Sequence, residues 1–261
     1  MNSFFPSLLF TCMASLSYAI PLFGQDEPIE LDPNIEIRRG GKRDAPDFSN
    51  GFGFGFGWGW NLLSQASEEL AIHHFPSSRW NFSLGFEIPI ISRLENLNLR
   101  VGGGIYNRRF NFRNNITLSK EDDYTKIVPA SEVFQVEVED VKDLESQYSV
   151  RSLEISIGLR NKFFKSEGNF GFFKDINMEL GGFAGRTLRD LSQVNYTPNE
   201  NVSRSLSVRD RRAFRYPYGT YLKLGSDFLS LVFEQHFSPL FQGEQSPRAM
   251  GSSVGLELWL F

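Results

Sequence analysis

Cysteine occurs once in the 261 residues, at Cys12, and histidine three times, at His73, His74 and His236. This scarcity excludes a disulfide scaffold and makes a zinc site improbable on donor count alone. Positive charge is not in excess either: 27 Lys plus Arg stand against 31 Asp plus Glu, for a net charge of -4. That sign argues against a general nucleic-acid binder, so no nucleic acid is expected among the partners. No helical membrane bundle is legible in a chain whose mean hydropathy is -0.28. What the chain has in quantity is phenylalanine and glycine, 26 and 23 residues, a bias toward β-structure.

Residues 1–25 carry no Asp, Glu, Lys or Arg, and their apolar core around Leu8 to Leu16 is followed by Ser17-Tyr18-Ala19. Small residues after a short apolar core predict a signal peptide over 1–25, cleaved after Ala19 or after Gln25, although the usual Lys or Arg of the n-region is missing. A membrane anchor would need about 20 apolar residues, more than this core supplies. An acylated Cys12 would need small residues before it, where Leu9, Phe10 and Thr11 stand. Residues 26–50 are polar, contain Pro28, Pro33 and Pro46, and are read as a flexible periplasmic lead-in.

At Gly51 the pattern changes. Gly51, Gly53, Gly55, Gly57 and Gly59 alternate with Phe52, Phe54, Phe56, Trp58 and Trp60. A period of two sorts side chains to opposite faces of a strand, giving an aromatic ladder on one face and almost nothing on the other. Alternation resumes from Trp80 to Ile90, from Leu97 to Arg108, and from Ser152 to Arg160. Further candidates are Ile176–Gly185, Phe214–Leu224, Leu229–Phe237 and Ser252–Phe261, each of about ten residues, the length of a tilted strand crossing a bilayer. The prediction is an all-β fold: an eight-stranded antiparallel up-and-down transmembrane β-barrel over 51–261.

Connection lengths support it. Short turns are expected at 92–96, 165–173 and 225–227, and long ones at 63–79, 114–147, 188–212 and 238–251. This is the short–long alternation of an outer-membrane barrel with both termini in the periplasm. Val133–Val138 alternates and is expected to extend a hairpin above the membrane.

The face opposite the apolar stripe carries Glu87, Glu154, Glu179, Glu234 and Glu257 with Arg100, Arg108, Arg160, Arg215 and Lys223. A lipid-carrying soluble barrel would invert this arrangement. Eight strands leave a lumen only wide enough for side chains, so these ten residues are expected to form a buried ion network rather than an aqueous channel. Glu87 is placed opposite Arg100, and the glycine face of the first strand is expected to leave room for long arginines. A narrow diffusion pore is the competing use of the same lumen.

The C-terminal strand Ser253–Phe261 places Gly255 three and five positions before Leu258 and Leu260 and closes on Phe261. With the leader and the eight amphipathic strands, these residues make the chain resemble the small outer-membrane β-barrel family that includes the PorT-like proteins and, more distantly, OmpA and OmpX. The resemblance implies that Gly255, Leu258, Leu260 and Phe261 are read by the barrel-assembly machinery. It also implies a place in the cell outer membrane and a role beside secretion-system proteins. Strict alternation, however, turns Trp259 and Phe261 inward if Leu256, Leu258 and Leu260 meet lipid.

Chemistry is sparse. His236 with Glu234 and Ser238 is the nearest approach to the His, Ser and carboxylate set of a lipid A-modifying enzyme, but a lumen histidine beside a lumen acid is more often part of the ion network. The glycine repeat lacks the Lys and Ser or Thr of a phosphate loop, and no cofactor or metal is predicted. The acidic stretch from Glu121 to Glu145 lacks the spacing of a calcium loop and reads as a hydrated loop. Arg204, Arg209, Arg211 and Arg212, at the end of another long connection, could contact lipopolysaccharide.

Overall fold

The computed structural model describes residues 51–73, 77–90, 97–121, 124–134, 141–165, 175–198, 204–209 and 213–260. The leader and lead-in predicted over 1–50, His74, the turn 92–96, Arg211, Arg212 and Phe261 lie outside the described residues. Among the described residues eleven strands form: β1 (Phe52–Ser64), β2 (Ser78–Pro89), β3 (Leu97–Phe112), β4 (Ile116–Glu121), β5 (Tyr124–Pro129), β6 (Val141–Lys165), β7 (Asp175–Pro198), β8 (Arg204–Arg209), β9 (Tyr218–Gly225), β10 (Leu229–His236) and β11 (Met250–Leu260). A 3-10 turn at Glu68–Leu70 and one short helix, α1 (Ala130–Phe134), complete the described elements.

Eight of these strands close into an antiparallel ring in the order β1, β2, β3, β6, β7, β9, β10, β11, with β11 returning to β1. Each ring strand pairs with its neighbours along the chain, so this is the predicted up-and-down barrel. The seam between the first and last ring strands runs from Phe54↔Leu260 to Ser64↔Met250. Closure gives every ring strand two hydrogen-bonded partners, which a chain in hydrocarbon requires. No described helix is long and apolar enough to cross a membrane.

Alternation sorts the wall. Phe52, Phe54, Phe56 and Trp58 on β1 face outward, as do Phe82, Leu84 and Phe86 on β2 and Leu256, Leu258 and Leu260 on β11. On β6 the outward apolar residues run from Leu153 to Phe163. Ten residues at about 3.3 Å each, tilted by about 40°, make a band about 25 Å tall. Inward positions are mostly glycine or polar, with Phe183, Val232 and Trp259 among the apolar exceptions. Trp259 is inward and only 4% exposed; it fits because its cross-strand partner is Gly55. A Cβ on Gly55 would sit 2.8 Å from the indole. The room left by the glycine face is therefore filled first by Trp259, with Arg100 stacked on it at 3.6 Å, and not by arginines alone as the sequence suggested.

Several predicted loops are strand. β6 has 25 residues and β7 has 24, well beyond the length that a bilayer needs. Their upper halves carry polar residues on both faces, for example Glu145, Ser146, Gln147 and Ser149 on β6, so no apolar alternation marks them. On β7 a bulge adds a further disguise: Arg151 pairs with Arg189 and Ser152 with Thr187, leaving Leu188 extra. The inward positions consequently switch from Phe183 to Asp190, Ser192 and Val194. Above the band, β8 adds to the edge of β7 that β9 uses lower down, pairing Leu191 through Tyr196. The hairpin expected at Val133–Val138 is instead built from β4 and β5, while Ala130–Phe134 is helical and 135–140 lie outside the described residues.

At this loop end a compact apolar cluster sits over the barrel. Leu70, Ile72, Phe110, Phe112, Leu118, Tyr148, Val150, Ala213, Phe241 and Ala249 are all buried in it. All four long connections contribute. They are stitched together by the bridges Ile72↔Phe112 and Ala213↔Phe241, by the Thr125 N–H donating to Ser246 Oγ at 2.8 Å, and by Asp190. The Asp190 carboxylate accepts from the Tyr148 hydroxyl and the Ala213 N–H, both at 2.9 Å.

The seam makes a test. Gly59 and Gly255 are cross-strand partners, and a Cβ on Gly255 would lie 2.9 Å from the Gly59 Cα. Gly59→Ala and Gly255→Ala are each expected to lower stability by about 1–3 kcal/mol. Gly182→Ala, whose Cβ meets only a carbonyl oxygen at 3.5 Å, should change it by about 0.5 kcal/mol or less. Urea midpoints of the barrel in bilayers check the difference.

Candidate functional site: the lumen

Three layers of charge cross the lumen. Nearest the loop end, Arg108 on β3 holds Glu154 on β6 through two hydrogen bonds, 2.5 and 3.0 Å, and reaches Glu234 on β10 at 3.2 Å. Arg79 on β2 meets the same Glu234 at 2.6 Å and also touches Ser253 and Asn81. In the middle, Arg100 crosses from β3 to Glu179 on β7 at 2.8 Å, and Lys223 on β9 meets Glu257 on β11 at 2.6 Å. The Tyr221 hydroxyl donates to Glu179 at 2.7 Å, and Trp259 donates its indole N–H to Glu257. At the turn end, Arg160 joins Glu87 to Asp227, which also accepts from Lys162 and Asn177.

Glycines create these crossings. Arg100 lies opposite Gly158 on the adjacent strand, and a Cβ there would meet Glu179 Oε1 at 3.2 Å. Six cations (Arg79, Arg100, Arg108, Arg160, Lys162, Lys223) thus face six carboxylates (Glu87, Glu154, Glu179, Asp227, Glu234, Glu257). Matching is required, because an uncompensated buried charge costs several kcal/mol.

Of the ten residues chosen from the sequence, nine lie together in the lumen. Arg215 does not: β9 begins only at Tyr218, and a bend at Arg215 and Tyr216 turns the guanidinium outside, over the Tyr216 ring at 5.3 Å. The cross-strand register Glu87↔Arg100 is as expected, but the two do not pair with each other. Arg100 is drawn across the barrel to Glu179 and Trp259, while Arg160 reaches past Asn98 to Glu87.

Sequence reasoning missed Arg79, Asp227 and Lys162. Arg79 had a signal, since Arg79, Asn81, Ser83 and Gly85 extend the polar face of β2 by one step. Asp227 had none, because an acid in a tight turn reads as solvated.

The residues expected to be read by the assembly machinery divide by face. Gly255 points inward at the seam, whereas Leu258 and Leu260 point outward. The His236, Glu234 and Ser238 set is not joined by hydrogen bonds among the described residues. Glu234 is taken by the two arginines and Ser253, Ser238 is bonded to the Tyr218 backbone, and His236 packs edge-on against Phe183 at 4.9 Å. No group of three or more metal-capable side chains occurs among the described residues. Between the ion layers and the apolar cluster lies a void of about 30 Å³, room for about one water molecule. Outside, at the loop end, a cleft of about 870 Å³ is lined by Arg186, Arg189, Arg209 and Arg215 with Asp190 and Gln242. Beyond the band, hydrogen bonds from Tyr124 and Lys126 hold the Glu121 carboxyl below its ordinary range.

No protein-family model matches the chain, and neither does any curated protein. Among solved structures, one similar chain is Ail, the attachment invasion locus protein of Yersinia pestis, solved with the heparin analogue sucrose octasulfate. It has 10% identity and a TM-score of 0.34, over 80% of this chain and 97% of that one. Another is a mutant porin of Rh. blastica, at 11% identity and a TM-score of 0.19 over 80% and 99%. Scores this low carry no argument, and the fold rests on the strand pairing itself.

Breaking one buried pair is expected to be worse than removing it. Glu179→Ala should cost about 3–5 kcal/mol by stranding Arg100, and Arg100→Met with Glu179→Leu should recover most of that loss. Guanidinium unfolding followed by tryptophan fluorescence measures both.

Proposed function

We propose that this protein is a non-enzymatic integral outer-membrane barrel that conducts nothing and acts through its loop end, where it holds a platform for a partner. The observation that carries this reading is the doubly obstructed lumen: matched ion layers across its whole height, then an apolar cluster drawn from all four long connections. A diffusion pore needs a continuous wet path, and this interior offers little space for one. Stability invested beyond the bilayer, in the long β6–β7 pairing, β8 and the β4–β5 hairpin, supports a role for the outer surface. The class of partner follows only from the resemblance to PorT-like barrels: components of protein secretion.

Two measurements test the proposal. In planar bilayers the purified barrel is expected to give no discrete conductance steps, and reproducible steps would refute the sealed lumen. Lipid A from cells with the wild-type protein, the His236→Ala variant and no protein is expected to have one mass profile. A wild-type-dependent mass change would instead establish the enzyme reading.

A further inference from the structure

We propose that the outer wall of β3, β6 and β7 binds the phosphorylated headgroup of a lipid in the leaflet at the loop end. The proposal rests on the membrane-barrel reading and not on the closed lumen. Arg151 on β6 and Arg189 on β7 are direct cross-strand partners, and Arg109 stands one step up the same face of β3, beside Asn107, the partner of Arg151. Like charges placed directly opposite on neighbouring strands repel and are destabilising. Among the described residues no carboxylate offsets them: all three side chains are exposed, and none forms an ion pair. They line a depression of about 210 Å³ whose remaining walls are neutral, including the Ser149 hydroxyl, the Asn107 amide and Trp80, whose ring lies 5.8 Å from the Arg151 guanidinium.

Depth decides what fills it. The row Trp80, Asn107, Arg151, Arg189 follows the strand register one step above Ile105 and Leu153, the last outward apolar residues of β3 and β6. The guanidinium groups therefore sit where hydrocarbon gives way to headgroups. At that level the anion available in quantity is phosphate, and guanidinium groups bind phosphate oxygens in pairs. A bound phosphate would also relieve the repulsion between Arg151 and Arg189.

The test uses the full-length barrel in nanodiscs containing either lipid A with its phosphates or the same lipid enzymatically dephosphorylated, followed by detergent extraction and native mass spectrometry. The wild type is expected to retain the phosphorylated lipid at least tenfold more than the dephosphorylated one. Arg109→Gln, Arg151→Gln and Arg189→Gln combined should lose that preference, with the heat-modifiable gel shift confirming a folded barrel. Should the triple variant not fold, Arg151→Gln alone removes one of two repelling charges, and a several-fold fall in retention is still expected. Equal retention of both lipids by the wild type, or unchanged retention in the folded variant, would overturn the proposal. Either result is independent of conductance, so the sealed lumen stands or falls separately.

Discussion

A strand in hydrocarbon has nowhere to send its backbone N–H and C=O groups except to another strand, and from that constraint the rest of this molecule follows. The pairing of β1 with β11 leaves no open edge, and with eight strands it sets a bore that side chains must fill. The outward half of every strand is then obliged to be apolar. The inward half is free to be polar, on condition that each group finds a partner inside.

That condition explains the lumen. Its guanidinium and carboxylate groups are matched, and the matches run across the bore rather than only between neighbouring strands: Arg79 and Arg108 both reach Glu234, and Arg100 reaches Glu179. Crossings of this kind tie strands that share no hydrogen bonds. Glycine is their structural complement, since Gly55 admits Trp259 and Gly158 admits the Glu179 and Tyr221 side chains. Above the ion layers the chemistry changes to apolar packing, because the loop end is no longer sheltered by lipid and must bury its own side chains.

Much of this was legible in the residues. Alternation between Gly51 and Phe261 marked eight ring strands and the facing of their side chains, and the lengths of the connections marked which end carries the long ones. Nine of the ten charged residues chosen by that phase lie in the lumen, because phase alone decides which face a strand residue takes. The rule failed wherever the backbone departs from it. A bend expels Arg215, and the bulge at Leu188 reverses the phase of β7 and so hid its upper half.

Local pattern was enough for the barrel, its eight ring strands and its polar interior, since a period of two and a strand length of about ten residues are local properties. Tertiary structure alone decided which acid each arginine meets, that Arg100 stacks on Trp259, and that the loop end is covered by a cluster from four separate connections. The physical reason is distance along the chain. Arg79 and Glu234 are brought together only by closure of the ring, and a long side chain in a filled bore chooses among several carboxylates by reach and space that no single strand encodes.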